Sequence, residues 1–208
     1  MDRGRADSGR SAVVGGFGVN DVAALFVRAD SVYKKMPGVD CYDIDRDARK
    51  WPGGMPGVFH PPCRAWGRLR HMAKPRHDEK DLARWAVAQV RQYGGVLEHP
   101  KASTLWADQA LPAPGKMDEF GGWTLPIFQQ WWGHRAEKAT LLYIVGCTYQ
   151  NLSAIPYDIA EASHVVTASD RKGQAGWRPR CTKSELEHTP EALAIWLVDL
   201  ARRCVRPQ

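Results

Sequence analysis

Cys63 and Glu98 are the residues whose types and settings are best suited to chemistry. Cys63 follows Pro61-Pro62 after the short apolar run 57–60 (GVFH), and Glu98 closes the apolar pair Val96-Leu97. Only a thiolate attacks, so a reactive thiol needs a lowered pKa, which the adjacent Arg64 or a helix N-terminus would supply. A carboxylate ending an apolar strand is costly unless paired or used. Together, at neighbouring strand ends, the two can act on one group of substrate atoms. His60, three residues before Cys63, raises the question of zinc, but no second cysteine pair completes a site. The zinc nucleobase deaminases require Pro-Cys-x-x-Cys, and Trp66 stands where the second cysteine would be. Cys41, Cys147, Cys181 and Cys204 read as structural thiols.

These groups need a scaffold, and the pattern supplies one. Residues 22–27 (VAALFV) form a buried-strand run, Ser31 reads as the N-cap of a short helix to Met36, and 40–44 (DCYDI) alternates as a second strand ending in Asp43 and Asp45. This strand–helix–strand order predicts an α/β fold, Rossmann-like, with a mainly parallel sheet and flanking helices. Residues 57–60 are a third strand, and 78–93 are a helix with Leu82, Trp85, Ala86, Val90 and Tyr93 at helical spacing, stopped by Gly94-Gly95. Val96-Leu97 is a fourth strand, 101–122 a long loop, and 140–146 (TLLYIVG) a further strand. Residues 167–184 read as a second, cation-rich loop. Thr189-Pro190-Glu191 opens a last helix burying Leu193, Ile195, Trp196, Leu197 and Leu200. In open α/β sheets ligands sit beyond the carboxyl ends of the strands. Here those ends carry Arg28-Ala29-Asp30-Ser31, Asp43, Cys63 and Glu98-His99-Pro100.

The segment His60-Pro61-Pro62-Cys63-Arg64-Ala65-Trp66-Gly67 resembles the Pro-Cys nucleophile motif of the DNA cytosine-C5 methyltransferases. Val96-Leu97-Glu98-His99-Pro100 is similar to that family's strand ending in Glu-Asn-Val. Trp132 to Lys138, followed by the strand to Gly146, resembles its basic motif, and Arg178 to Glu185 its Arg-Thr-Glu motif. The pieces fall in family order across residues 22–204. The resemblance implies a truncated methyltransferase-like core in which Cys63 adds to C6 of a pyrimidine flipped out of DNA. It also implies that Glu98 holds the Watson–Crick edge. With His99 in place of the asparagine, Glu98 would accept from N3–H of a uracil ring and His99 would donate to O4. Arg135 and Lys138 would hold phosphate or the intermediate, and Arg28 and Lys34 a departing phosphate or an amino-acid carboxylate. Ser31, Asp43, Arg64, Trp66 and Ser103 complete the expected substrate contacts.

Two departures bear on the cofactor. The loop after the first strand, Phe26-Val27-Arg28-Ala29-Asp30-Ser31, has no glycine, whereas close approach of backbone to S-adenosylmethionine depends on glycines. Only residues 46–60 separate Asp45 from Pro61, too few for the family's next strand and crossover. No insert after Gly146 supplies a target-recognition domain. The expected activity is therefore a phage DNA-modification transferase working without S-adenosylmethionine or metal. It would join an amino acid or amine to phosphorylated 5-hydroxymethyluracil in DNA, a thymine hypermodification that evades restriction. The alternatives are a divergent S-adenosylmethionine-dependent cytosine-C5 methyltransferase and an inactive DNA-binding module.

Composition sets the outer bounds. At 208 residues, 44% hydrophobic and 25% charged, the chain suits one globular domain over 21–208, preceded by a loose basic arm over 1–20. No apolar run approaches the roughly 20 residues of a membrane span. The charged opening Met1 to Arg10 lacks a secretory apolar core, so the cytoplasm of an infected host cell is the expected location. A net charge of +6 fits a polyanionic partner.

Overall fold

The computed structural model describes residues 20–167 and 171–204. The basic arm expected over 1–20 thus lies, Asn20 apart, outside the described residues. Six strands form one sheet: β1 (Val22–Leu25), β2 (Val39–Tyr42), β3 (Gly57–Phe59), β4 (Gly95–Pro100), β5 (Trp123–Phe128) and β6 (Ala139–Val145). Their order is β2-β1-β3-β4-β6-β5. Pairing is parallel from β2 through β1 and β3 to β4, whereas β6 runs antiparallel to both β4 and β5. The sheet is therefore mixed: three of its five pairings are parallel, and β6 alone runs against the other strands.

Alternation along the strands builds two cores. Val22 and Ala24 of β1, Val58 of β3 and Val96 of β4 pack in one apolar cluster with helix α4 (Glu191–Arg202). Ala23, Leu25, Phe59 and Leu97 pack in the other with helix α1 (Glu79–Tyr93). Because successive side chains point to opposite faces, strands buried on both faces must be apolar throughout. Helices on both faces of one sheet give a three-layer α/β/α architecture.

Where the local pattern is strong, the elements match it. Helix α1 buries Leu82, Ala83, Ala86, Val87 and Val90 and ends at Gly94, whose φ of 82° needs no side chain to accommodate. Two shorter helices, α2 (Leu105–Asp108) and α3 (Lys183–Glu187), interrupt the two expected loops. The expected helix from Ser31 to Met36 is instead a single 3-10 turn (Val32–Lys35), and Ser31 makes no capping hydrogen bond. Helix α4 starts at Glu191 behind Pro190, and Ile195, expected to be buried, is 55% exposed. Strand β5 is not expected from the sequence. Its Pro126 argues against a strand, yet β5 lies at the sheet edge, where proline is tolerated because part of the backbone pairs with nothing.

One contact fixes the strands that carry the site. Gly57 of β3 and Gly95 of β4 are register partners. A Cβ on Gly95 would lie 2.1 Å from the Gly57 carbonyl oxygen, and Gly95 has φ 119°. The missing side chain of Gly95 is what lets these backbones approach so closely, whereas a Cβ on Gly57 would meet Phe59 and Leu25 instead. No helix among the described residues is long and apolar enough to cross a membrane.

Candidate active site

Strand β3 stops where β4 continues: Phe59 pairs with Leu97, and Glu98 to Pro100 extend beyond. The chain leaving β3 fills that step with His60, whose amide still bonds Leu25 of β1 at 3.1 Å. Pro61-Pro62 then turn it away and bring Cys63 over the strand ends. A cleft of about 750 Å³ opens here, walled by Arg28, Ser31, Tyr33, His60, Cys63, Arg64, Glu98, Lys138, Glu187 and His188.

Glu98 is the best-held side chain of the cleft. His60 Nδ1 lies 3.1 Å from its Oε2, and Gln129 Nε2 donates to its Oε1 at 3.0 Å. Behind them, the Tyr33 hydroxyl lies 2.9 Å from His60 Nε2, and Gln129 also donates to the Thr140 hydroxyl at 3.1 Å. Burial pushes the Glu98 carboxyl up, but the His60 hydrogen bond and charge, with Lys138 and His99, outweigh it and hold the group down at about 2. Burial likewise drives the Tyr33 phenol well above its ordinary value. A carboxylate accepts only, so His60 donates to Glu98 from Nδ1, and the direction of the Nε2–Tyr33 hydroxyl bond follows the protonation of the ring.

Cys63 is exposed to the cleft. Desolvation of the sulfur nevertheless pushes its thiol up, the Glu98 charge pushes the same way, and Lys138 opposes them. The net shift is upward, against the expectation placed on Arg64: its charge couples to the sulfur, but its guanidinium is bound to the buried Glu79, whose charge pushes the thiol up. Lys138, at φ 36° just before β6, is the cation whose charge reaches both Cys63 and Glu98.

The structure thus gathers Cys63, Glu98 and Lys138, with Arg28, Ser31 and Arg64 on the same walls. It does not bring the other expected contacts to the cleft. His99 is fully buried, because neighbours along a strand face opposite ways and Glu98 holds the cleft side. Its ring meets Trp106 edge-on, neither nitrogen has a well-formed hydrogen bond, and burial lowers its pKa to about 4. Trp66 is 2% exposed, packed in the α1-side core under Lys80 and Arg84. Ser103 is buried and accepts from the Leu105 amide at 3.0 Å, tying down α2. Asp43 lines the neighbouring 480 Å³ cleft and is held by Lys34 at 2.5 Å and by the amides of Asp45 and Arg46. Lys34 is thereby engaged as well. Arg135 is drawn to Glu185 at 2.7 Å and to His164, outside the cleft walls. Arg28 reaches the cleft mouth but spans Asp30 at 2.9 Å and Glu187 at 2.8 Å.

Sequence reasoning passed over His60, Tyr33, Gln129 and Thr140 as site residues. His60 adjoins the Pro-Pro-Cys turn and could have been found there. The other three come from distant segments and carry no local signal. Among the described residues no group of three or more His, Cys, Asp or Glu side chains is placed to hold a metal ion. No protein-family model, curated protein or solved structure matches this chain.

Proposed function

We propose that the cleft receives a pyrimidine turned out of DNA and that Cys63 adds to C6 of its ring. The observation that carries this reading is the convergence of the Cys63 thiol and the ionised Glu98 carboxylate on one cleft, where β4 continues past the end of β3. The favoured substrate is a phosphorylated 5-hydroxymethyluracil, and the second substrate is an amine or amino acid. Attack forms the Sγ–C6 bond and sends electrons through C5, expelling phosphate from the 5-methylene carbon. The amine adds to the resulting exocyclic methylene and gives its proton to solvent. Electrons returning through C5 then break the Sγ–C6 bond and restore the ring.

Each local feature has a part in this scheme. Glu98 accepts from the ring N–H, and Lys138 lies where it can neutralise the charge that develops on the ring and favour the Cys63 thiolate. The glycine-free loop after β1, with Arg28 bridging Asp30 and Glu187 across the mouth, supports a reading without S-adenosylmethionine. The truncated methyltransferase-like core of the resemblance belongs to the same proposal, as does the setting of a phage-infected bacterial cell.

The test is intact-mass spectrometry of the protein with duplex DNA carrying one phosphorylated 5-hydroxymethyluracil, followed by addition of an amine and nucleoside analysis. A protein–DNA adduct and an aminated nucleoside are expected, and Cys63→Ala should give neither. Full activity of Cys63→Ala overturns the reading.

A further inference from the structure

The carboxylate of Glu98 is clamped far more elaborately than a simple ion pair requires. One oxygen faces His60, which is backed by the buried Tyr33 hydroxyl. The other takes the amide of Gln129, which is itself buried and anchored on Thr140. The Thr140 hydroxyl in turn donates to the Lys138 carbonyl at 3.1 Å. Each donor is oriented by a second partner, and both Glu98 oxygens are engaged as acceptors, so in this arrangement Glu98 has no proton to give.

Resting on the pyrimidine reading above, we infer that His60 is a specificity-determining positioning residue. By fixing Glu98 as a pure acceptor, with Tyr33 and Gln129 in support, it makes the cleft select a uracil-type ring over a cytosine-type ring. The uracil ring presents N3–H, which donates to a carboxylate. Neutral cytosine presents a bare N3 lone pair at the same position, so two acceptors would face one another unless a proton were taken up. A site built around a hydrogen bond rejects the analogue that cannot make it, because its buried polar group is left unpaired. Glu98 is held near 2, against an ordinary 4.5, so no proton is available there at neutral pH. The titratable groups facing Glu98 are His60 from the turn after β3, Tyr33 from the 3-10 turn, Lys138 ahead of β6 and Cys63, and the charge of His99 reaches it from the other face of β4.

The choice can be read without the second substrate. Reversible thiol addition at C6 lets C5 take a deuteron from D2O. Loss of the C5 proton and departure of the thiolate then regenerate the ring, with one deuterium at C5. The full chain is incubated in D2O with duplexes holding a single deoxyuridine or a single deoxycytidine at the same position, and the nucleosides are weighed. Exchange into deoxyuridine is expected to be at least about a hundredfold faster, and to lack an acid limb near the ordinary carboxylate range. In His60→Phe the preference should collapse, and a limb should emerge at or above 4.5, the usual Glu value. His60→Gln, which keeps a donor towards Glu98, should restore much of the preference, and Tyr33→Phe should weaken it mildly. Equal or faster exchange into deoxycytidine by the wild-type protein, or an unchanged preference and pH profile in His60→Phe, overturns the inference and leaves Cys63 addition standing. Exchange into neither base, with no adduct on the phosphorylated substrate, removes the pyrimidine reading and this inference with it.

Discussion

His99 shows how far a single residue's environment can depart from its neighbour's. Glu98 and His99 adjoin in sequence, yet one carboxylate lies in the cleft with two donors and the next ring is sealed in the core beside Trp106. The physical consequence is a stability term with a definite sign. The unfolded chain protonates His99 below the ordinary 6.5, whereas burial delays protonation in the folded chain to about 4. Between those values the unfolded state binds more protons, so stability falls as the pH falls. The span corresponds to about 3 kcal/mol in full. Glu98 contributes in the same direction, but only below its ordinary 4.5, because its depressed pKa makes its stabilisation fully present above that value and lost towards about 2. Urea unfolding at pH 6.5 and 4.5 therefore isolates the histidine. His99→Leu should flatten the loss over that interval, and a wild-type protein equally stable at both pH values would refute the account.

At the scale of elements, the sheet depends on one backbone contact and the helices on their inner faces. Gly95→Ala forces a methyl against the Gly57 carbonyl, with no flexible side chain to yield. It should cost about 3 kcal/mol or more in urea unfolding, as strained core substitutions do, and should part the strands carrying Cys63 and Glu98. On α4, Leu197 is fully buried and Ile195 is 55% exposed. Leu197→Ala should therefore cost about 2–5 kcal/mol, and Ile195→Ala no more than about 0.5 kcal/mol. Equal losses at the two positions would show that the helix is turned about its axis, with Ile195 facing the core.

Two cation-rich stretches run into the lining of the cleft. The segment leaving Cys63 carries exposed Arg64, Arg68, Arg70, Lys74 and Arg76, and the segment entering α3 carries exposed Arg171, Lys172, Arg180 and Lys183. The first begins at Cys63 and the second leads through α3 to Glu187 and His188, which line the cleft. Contact with these cations would give the proposed DNA partner a measurable electrostatic signature. Reversing Arg68, Arg70 and Lys74 to Glu should weaken duplex binding most at low salt. In anisotropy titrations between roughly 50 and 200 mM salt, the log–log slope should flatten by about 0.9 for each phosphate that is no longer neutralised. An unchanged slope would place the DNA elsewhere.

What the chain's order of residues determined by itself is the part governed by local rules. Apolar runs on both sheet faces and the helical period and Gly94 stop of α1 are legible because backbone geometry imposes their spacing, whereas β4, expected to end at Glu98, runs on to Pro100 in pairing with β6. Even the separation of Glu98 from His99 was available from the two-residue period of a strand. The antiparallel edge was not, because Pro126 reads as a breaker until β6 shelters one side of β5. Nor was the clamp on Glu98. Tyr33, His60, Gln129 and Thr140 meet only when four separate segments close on one another, and no local spacing encodes a contact between residues 27, 31 or 38 positions apart.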